Sequence, residues 1–243
     1  MSATSASTAA RNDAAWCDAV CSAAGGQTDF TNGIWRNSVR SPPYFPNIIT
    51  VDPAAEVDAV EEAVRMLSPR GSEVGIKDSF CKLDLGPSGY AKLFQASWIA
   101  REPVRSPRIF TQLTWTKIDS FTALRAWERE WWPEGVSSMP TPAIFGRALL
   151  ERNDICFLAG HEGTTLMAGA AITETEHVAG LTCTFFRGRD TARLRRELLL
   201  VLESRYPDQV VLGYESGDEL VAMKGLGFIE VGPLRVWLST GSC

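Results

Sequence analysis

A chain of 243 residues with 45% hydrophobic and 22% charged residues has the make-up of a globular protein able to bury a sizeable core. That balance excludes a disordered or fibrous chain, and the formal net charge of −5 argues against a general nucleic-acid binder, which needs a basic face. No apolar run approaches the roughly eighteen residues of a membrane span, and the opening MSATSASTAA has neither a basic residue nor an apolar core. A cytoplasmic protein with no membrane partner is expected.

Residues 1–11 read as a flexible tail. From Asn12 an alanine-rich stretch predicts a helix that GGQ stops. Cys17 and Cys21 share one face of it, but only His161 and His177 offer imidazole, so the six spread cysteines are expected as free thiols, with no metal site. Trp35, Pro42, Pro43, Tyr44, Phe45 and Pro46 form an aromatic and proline cluster, suited either to a pocket or interface wall or to a buried seam. Ile48 to Val51 reads as a strand. Asp52 and Pro53 open a helix whose Val57, Val60, Val64 and Leu67 repeat at helical spacing. Two strand-like segments, IKDSFCKLDL and KLFQASWIA, follow around GPSGY, and the carboxylates of Asp78 and Asp84 are expected on a surface ladder.

The charged, proline-bearing REPVRSPR places a boundary near residue 107, giving an N-terminal domain over 12–107 and a C-terminal one over 108–243. The second begins with a strand and two helices. ICFLAGHEG, TTLMAGAAITETE and VAGLTCTFF then form an antiparallel meander, followed by a strong helix from Asp190 or Thr191. A buried strand (QVVLGYES), a short helix stopped by Gly227, and a last strand complete the chain.

This order, together with ELVAMKGLGFIEVG at the end, resembles the GNAT acetyltransferase superfamily over roughly residues 108–243. The resemblance implies an α/β (α+β) fold: a mixed, largely antiparallel, splayed sheet flanked by helices. The helix, strand, helix, strand, strand of the first hundred residues is reminiscent of a partial second copy, although no internal sequence repeat accompanies it. The resemblance further implies an acyl-coenzyme A co-substrate, not a tightly bound cofactor, seated where VAGLTCTFF and QVVLGYES splay apart. Arg187, Gly188, Arg189, Thr191 and Ala192 match the family's pyrophosphate loop, but Asp190 replaces its central glycine. Such a loop works through free N–H groups at a helix start, and a carboxylate there competes for them. Met223 stands where the family often has a tyrosine acid.

The residues themselves offer substitutes. Glu215 is a candidate base for an amine and Tyr214 a candidate acid for a leaving thiolate, both at the carboxyl end of a strand, where open sheets bind ligands. Glu174, beside Glu176 and His177 in a turn, is a third catalytic candidate and a possible attractor of a cationic acceptor. Cys183 reads as a core thiol. The expected function is transfer of an acyl group from coenzyme A to a small-molecule amine. Two alternatives stand beside it: action on a thioester borne by an acyl carrier protein, and non-catalytic ligand or partner binding. A homodimer is compatible with the sequence.

Overall fold

The computed structural model describes residues 5–67, 74–104, 110–133, 135–136 and 139–239. Helix α1 (Ala6–Ala23) opens the chain, followed by β1 (Thr28–Thr31), β2 (Ile34–Asn37), β3 (Ile48–Thr50), α2 (Val57–Leu67), β4 (Val74–Asp78) and β5 (Tyr90–Arg101). Then come β6 (Thr114–Lys117), α3 (Phe121–Trp131), a 3-10 turn at Arg147–Glu151, and the meander β7 (Ile155–Glu162), β8 (Thr165–Thr175) and β9 (Val178–Phe186). The chain closes with α4 (Thr191–Arg205), β10 (Val210–Glu215), α5 (Gly217–Gly225) and β11 (Ile229–Ser239). Among the described residues no helix is long and apolar enough to cross a membrane.

All eleven strands join one sheet in the order β1-β2-β3-β4-β11-β5-β10-β9-β8-β7-β6. Neighbours are antiparallel except β3–β4 and β9–β10, so the sheet is mixed and largely antiparallel, as expected. The expected division at residue 107 does not separate two sheets. β5, from the first hundred residues, lies between β10 and β11 and pairs with both, so the N-terminal strands extend the C-terminal sheet. Residues 105–108 of the expected boundary lie outside the described residues.

Alternation along the strands sorts the helices onto two faces. Trp35, Ile49, Phe157 and Ala171 pack with α1 and α3, and Leu212 and Val236 also lie under α1. Ile34, Ile48, Ile76 and Trp237 pack instead with α2, and Val211, Ala170 and Ile172 with α4 and α5. Helix α1 starts earlier than the sequence suggests: the Thr8 N–H donates to the Ser5 hydroxyl as a cap, and Ala9 and Ala10 are buried, so residues 6–11 are helix and not tail. Small side chains let this helix lie close to the sheet. The Asn12 amide donates to the Thr173 carbonyl (2.9 Å) and the Thr175 hydroxyl (2.8 Å), and Gly180 leaves it room. A Cβ at 180 would stand 1.7 Å from Asn12 Oδ1.

The segment after β4 departs from the strand expected there. The fully buried Asp78 carboxylate accepts the N–H groups of Phe80, Lys82 and Leu83, turning the chain at once. Asp78 is therefore a loop organiser and not part of a surface ladder.

Candidate active site

β9 and β10 are paired only through Val178–Val210, Ala179–Val211 and Gly180–Leu212. Beyond these, β10 stays with β5 as far as Glu215, and β9 stays with β8 as far as Phe186. The two strands therefore diverge from Leu181 and Gly213 onward. A bulge in β9 accompanies the opening: between the Gly169–Phe185 and Ala171–Thr182 pairs two residues of β9 face one of β8, and Cys183 takes a left-handed φ of 50°. The bulge leaves Thr182 and Cys183 both on the α1 side, Phe186 faces α4, and Leu181 and Thr184 line the cavities on both sides.

On the α1 side the splay opens into two cavities of about 260 and 660 Å³, which share Tyr44, Phe45, Pro46, Lys77 and Tyr214. Tyr44, Phe45 and the three prolines of the aromatic and proline cluster are thus cavity wall, whereas Trp35 is buried in the core under α1. Tyr44 is largely exposed and meets Trp131 and Trp132 edge-on at 5.9 and 5.3 Å. Lys77 is buried and donates to both carboxylate oxygens of Asp13, at 2.9 and 2.7 Å. Burial works to lower the Lys77 pKa, but Asp13 outweighs it and holds the ammonium above its usual range. That ammonium lies 4.4 Å from the centre of the Tyr214 ring. Lys77 pulls the Tyr214 phenol down, yet burial and Asp13 carry it above the usual value, so it stays protonated at neutral pH. Neither Lys77 nor Asp13 stood out in the sequence. The one available signal was polarity out of place: Asp13 shares a helix face with Ala9 and Cys17, and Lys77 follows a core isoleucine in a strand.

Glu215 ends β10 and lines both the 260 Å³ cavity and a cleft on the opposite face, bounded by Leu181, Thr184, Arg195, Glu219 and Met223. Burial raises its carboxyl to about 7, with Glu219 adding to the rise and Arg195 opposing it. Tyr214 and Glu215 are consecutive on a strand and so point to opposite faces. Tyr214 belongs to the α1 side, with Trp98 and Lys77.

On the α4 side Gly188 has a φ of 89° and Asp190 caps the helix, its carboxylate accepting the Arg193 N–H at 3.1 Å. The expected competition by this carboxylate is therefore real but confined. The N–H groups of Gly188, Arg189, Asp190, Thr191 and Ala192 bond nothing among the described residues, and the Asp190 charge is matched by Arg193 at 3.5 Å. Arg187 donates to the Glu130 carboxylate and carbonyl, and Arg195 forks onto Glu219 while also reaching Thr191. Arg189 and Arg196 are exposed and unpaired among the described residues. Free N–H groups at a helix start, beside exposed guanidiniums, form a donor set of the kind that phosphate groups take. The cleft leading inward from it holds only about 10 Å³ while Arg195 and Glu219 bridge it.

Glu174 is not part of this assembly. It pairs opposite Ala179 at the closed end of the splay, where Gln209 donates to its carboxylate at 3.3 Å. Burial pushes the Cys183 thiol up to about 12, with Thr182 opposing the rise, so it is no thiolate at neutral pH.

The structure is similar to a GCN5-related N-acetyltransferase from Kribbella flavida, with a TM-score of 0.59 and 13% identity over 96% of each chain. It is also similar to a GCN5-related N-acetyltransferase from Sphaerobacter thermophilus, with a TM-score of 0.55 and 11% identity over 96% of this chain and 92% of the other. A conserved protein of unknown function from Staphylococcus epidermidis matches with a TM-score of 0.55 and 9% identity, over 86% and 84%. At these identities the likeness is one of fold. No family model matches the sequence, and no curated protein does.

Proposed function

We propose that the protein transfers an acyl group from a coenzyme A thioester to the amine of a small molecule. The observation that carries this reading is Glu215, a carboxylate with a pKa near 7 at the point where the α1-side and α4-side cavities meet. A base matched to neutral pH is what an amine needs to shed its proton during attack. Gly188, Arg189, Thr191 and Ala192 would hold the phosphates through backbone N–H groups and the Arg189 guanidinium, with Arg187 steadied by Glu130 at the rim. Arg195 and Glu219 would part to admit the thiol-bearing arm. The thioester supplies an activated acyl carbon. Beyond Gly180 the edge of β9 that faces β10 has no strand partner, and a backbone N–H there would polarise the thioester carbonyl. Glu215 takes the proton of the attacking amine, the carbon–sulfur bond breaks as the amide bond forms, and the proton passes to the departing sulfur. Tyr214 serves as a wall of the acceptor cavity.

The carboxylate of Asp190 at the loop and the narrow inner cleft favour, as a second reading, a thioester delivered by an acyl carrier protein, whose acidic surface would meet Arg189 and Arg196. Calorimetric titration with acetyl-coenzyme A tests the first reading: saturable binding, weakened in an Arg189→Ala/Arg196→Ala variant, is expected. A folded protein that binds neither acetyl-coenzyme A nor free coenzyme A would exclude it.

A further inference from the structure

The acceptor side of the splay is polarised along its length. Its inner 260 Å³ cavity holds the carboxylate of Asp13 and the ammonium of Lys77, and reaches Glu215 at the splay, where the α4-side cleft meets it. Asp13 and Lys77 neutralise each other at 2.7 Å, both nearly out of solvent, so Glu215 is the group left to face an incoming amine. The outer cavity, about 660 Å³, has no carboxylate among its lining residues. Its charged groups are Lys77, already matched, and Arg40, which is exposed and has no partner among the described residues. Between these two ends the walls are largely apolar, with Tyr44, Phe45, Phe94 and Val236, and three prolines fix the backbone of one side.

Resting on the acyl-transfer reading, we propose that the acceptor is an amino-acid-like zwitterion, with a free amine at the Glu215 end, an apolar or aromatic body, and a carboxylate recognised by Arg40. The combined volume falls in the range of small-ligand sites, so a molecule the size of a dipeptide or an amino-acid conjugate fits it. A guanidinium and a carboxylate form a forked, charge-assisted pair, which gives the outer end its selectivity. The prolines and the tryptophans behind Tyr44 hold the wall in place before the ligand arrives.

The test is equilibrium binding without any thioester, so that its outcome is independent of transfer. Three probes are titrated: glycyl-phenylalanine, its C-terminal amide, and N-acetylglycyl-phenylalanine, which lacks the amine. The dipeptide is expected to bind about fivefold more tightly than its amide, the size of a bidentate pair that still touches solvent. That preference should vanish in Arg40→Gln and shrink at high salt. The acetylated probe should bind more weakly than the dipeptide to the wild type and no more weakly than it to Glu215→Gln. Arg40 is exposed and unpaired, so its variant keeps the fold, which circular dichroism verifies. Equal binding of dipeptide and amide, a preference that survives Arg40→Gln, or no millimolar binding of any probe would overturn the proposal. Discrimination among probes without acyl transfer would leave it standing and remove the transferase reading. Transfer to amines regardless of a carboxylate would do the reverse.

Discussion

Replacing Glu215 by glutamine separates a catalytic carboxylate from a structural one, because the two effects of the change have opposite signs. In the folded protein burial holds the Glu215 carboxyl near pH 7, against an ordinary value of 4.5. The native state therefore binds more protons than the unfolded state between those two values, and stability falls as pH rises through that window. At about 1.4 kcal/mol per pH unit the ceiling is about 3 kcal/mol, and partial contact with solvent and Arg195 brings it to about 2 kcal/mol. Glutamine has the same shape and no charge to desolvate. The Glu215→Gln variant should thus melt about 4–8 °C higher than the wild type at pH 8 and at the same temperature at pH 4. Over the same range its kcat/KM for acyl transfer should drop about 10²–10⁴-fold, and the wild-type rise in rate through pH 7 should disappear. Parallel melting curves and a pH–rate profile measure both. A variant that gains no stability at pH 8 would show that the ionised carboxylate is well solvated, and one that keeps its activity would remove Glu215 from the chemistry.

Three further outcomes follow from named contacts. Asp190→Ala should cost about 1 kcal/mol as a lost helix cap while tightening acetyl-coenzyme A several-fold, because the change frees the Arg193 N–H and removes a carboxylate from the loop; denaturant melts and calorimetry read the two effects separately. Gly180→Ala should destabilise by about 3 kcal/mol or more, since its Cβ would stand 1.7 Å from Asn12 Oδ1, and adding Asn12→Ala should restore part of that loss in urea unfolding. Lys77→Met alone should cost about 3–5 kcal/mol by leaving Asp13 buried without its cation, whereas Lys77→Met with Asp13→Leu should recover most of it. Equal loss in the single and double variants would show that packing, not charge, dominates there.

What the sequence determined by itself was local. The 3.6-residue stripe of α4, with Leu194, Leu198 and Leu202 buried, was legible because periodicity and a capping aspartate act within one helix. The meander β7–β9 and the turn at Gly227 (φ 89°) before the buried Phe228 were legible for the same reason: short connections and a left-handed glycine are fixed by neighbours in the chain. The competition of Asp190 for helix N–H groups was legible too, as cap chemistry spans three residues. Only the tertiary structure decided the rest. That β5 slots between β10 and β11 depends on pairings more than a hundred residues apart, which no local pattern records. Asp13 and Lys77 meet across 64 residues, and each alone looks like an ordinary polar side chain. Tyr214 and Glu215 looked equivalent in the strand, but alternation sent one to each face. The pKa that suits Glu215 to be a base is a product of burial and of Glu219 and Arg195 converging on it, and burial is a property of the packed sheet and not of the residue.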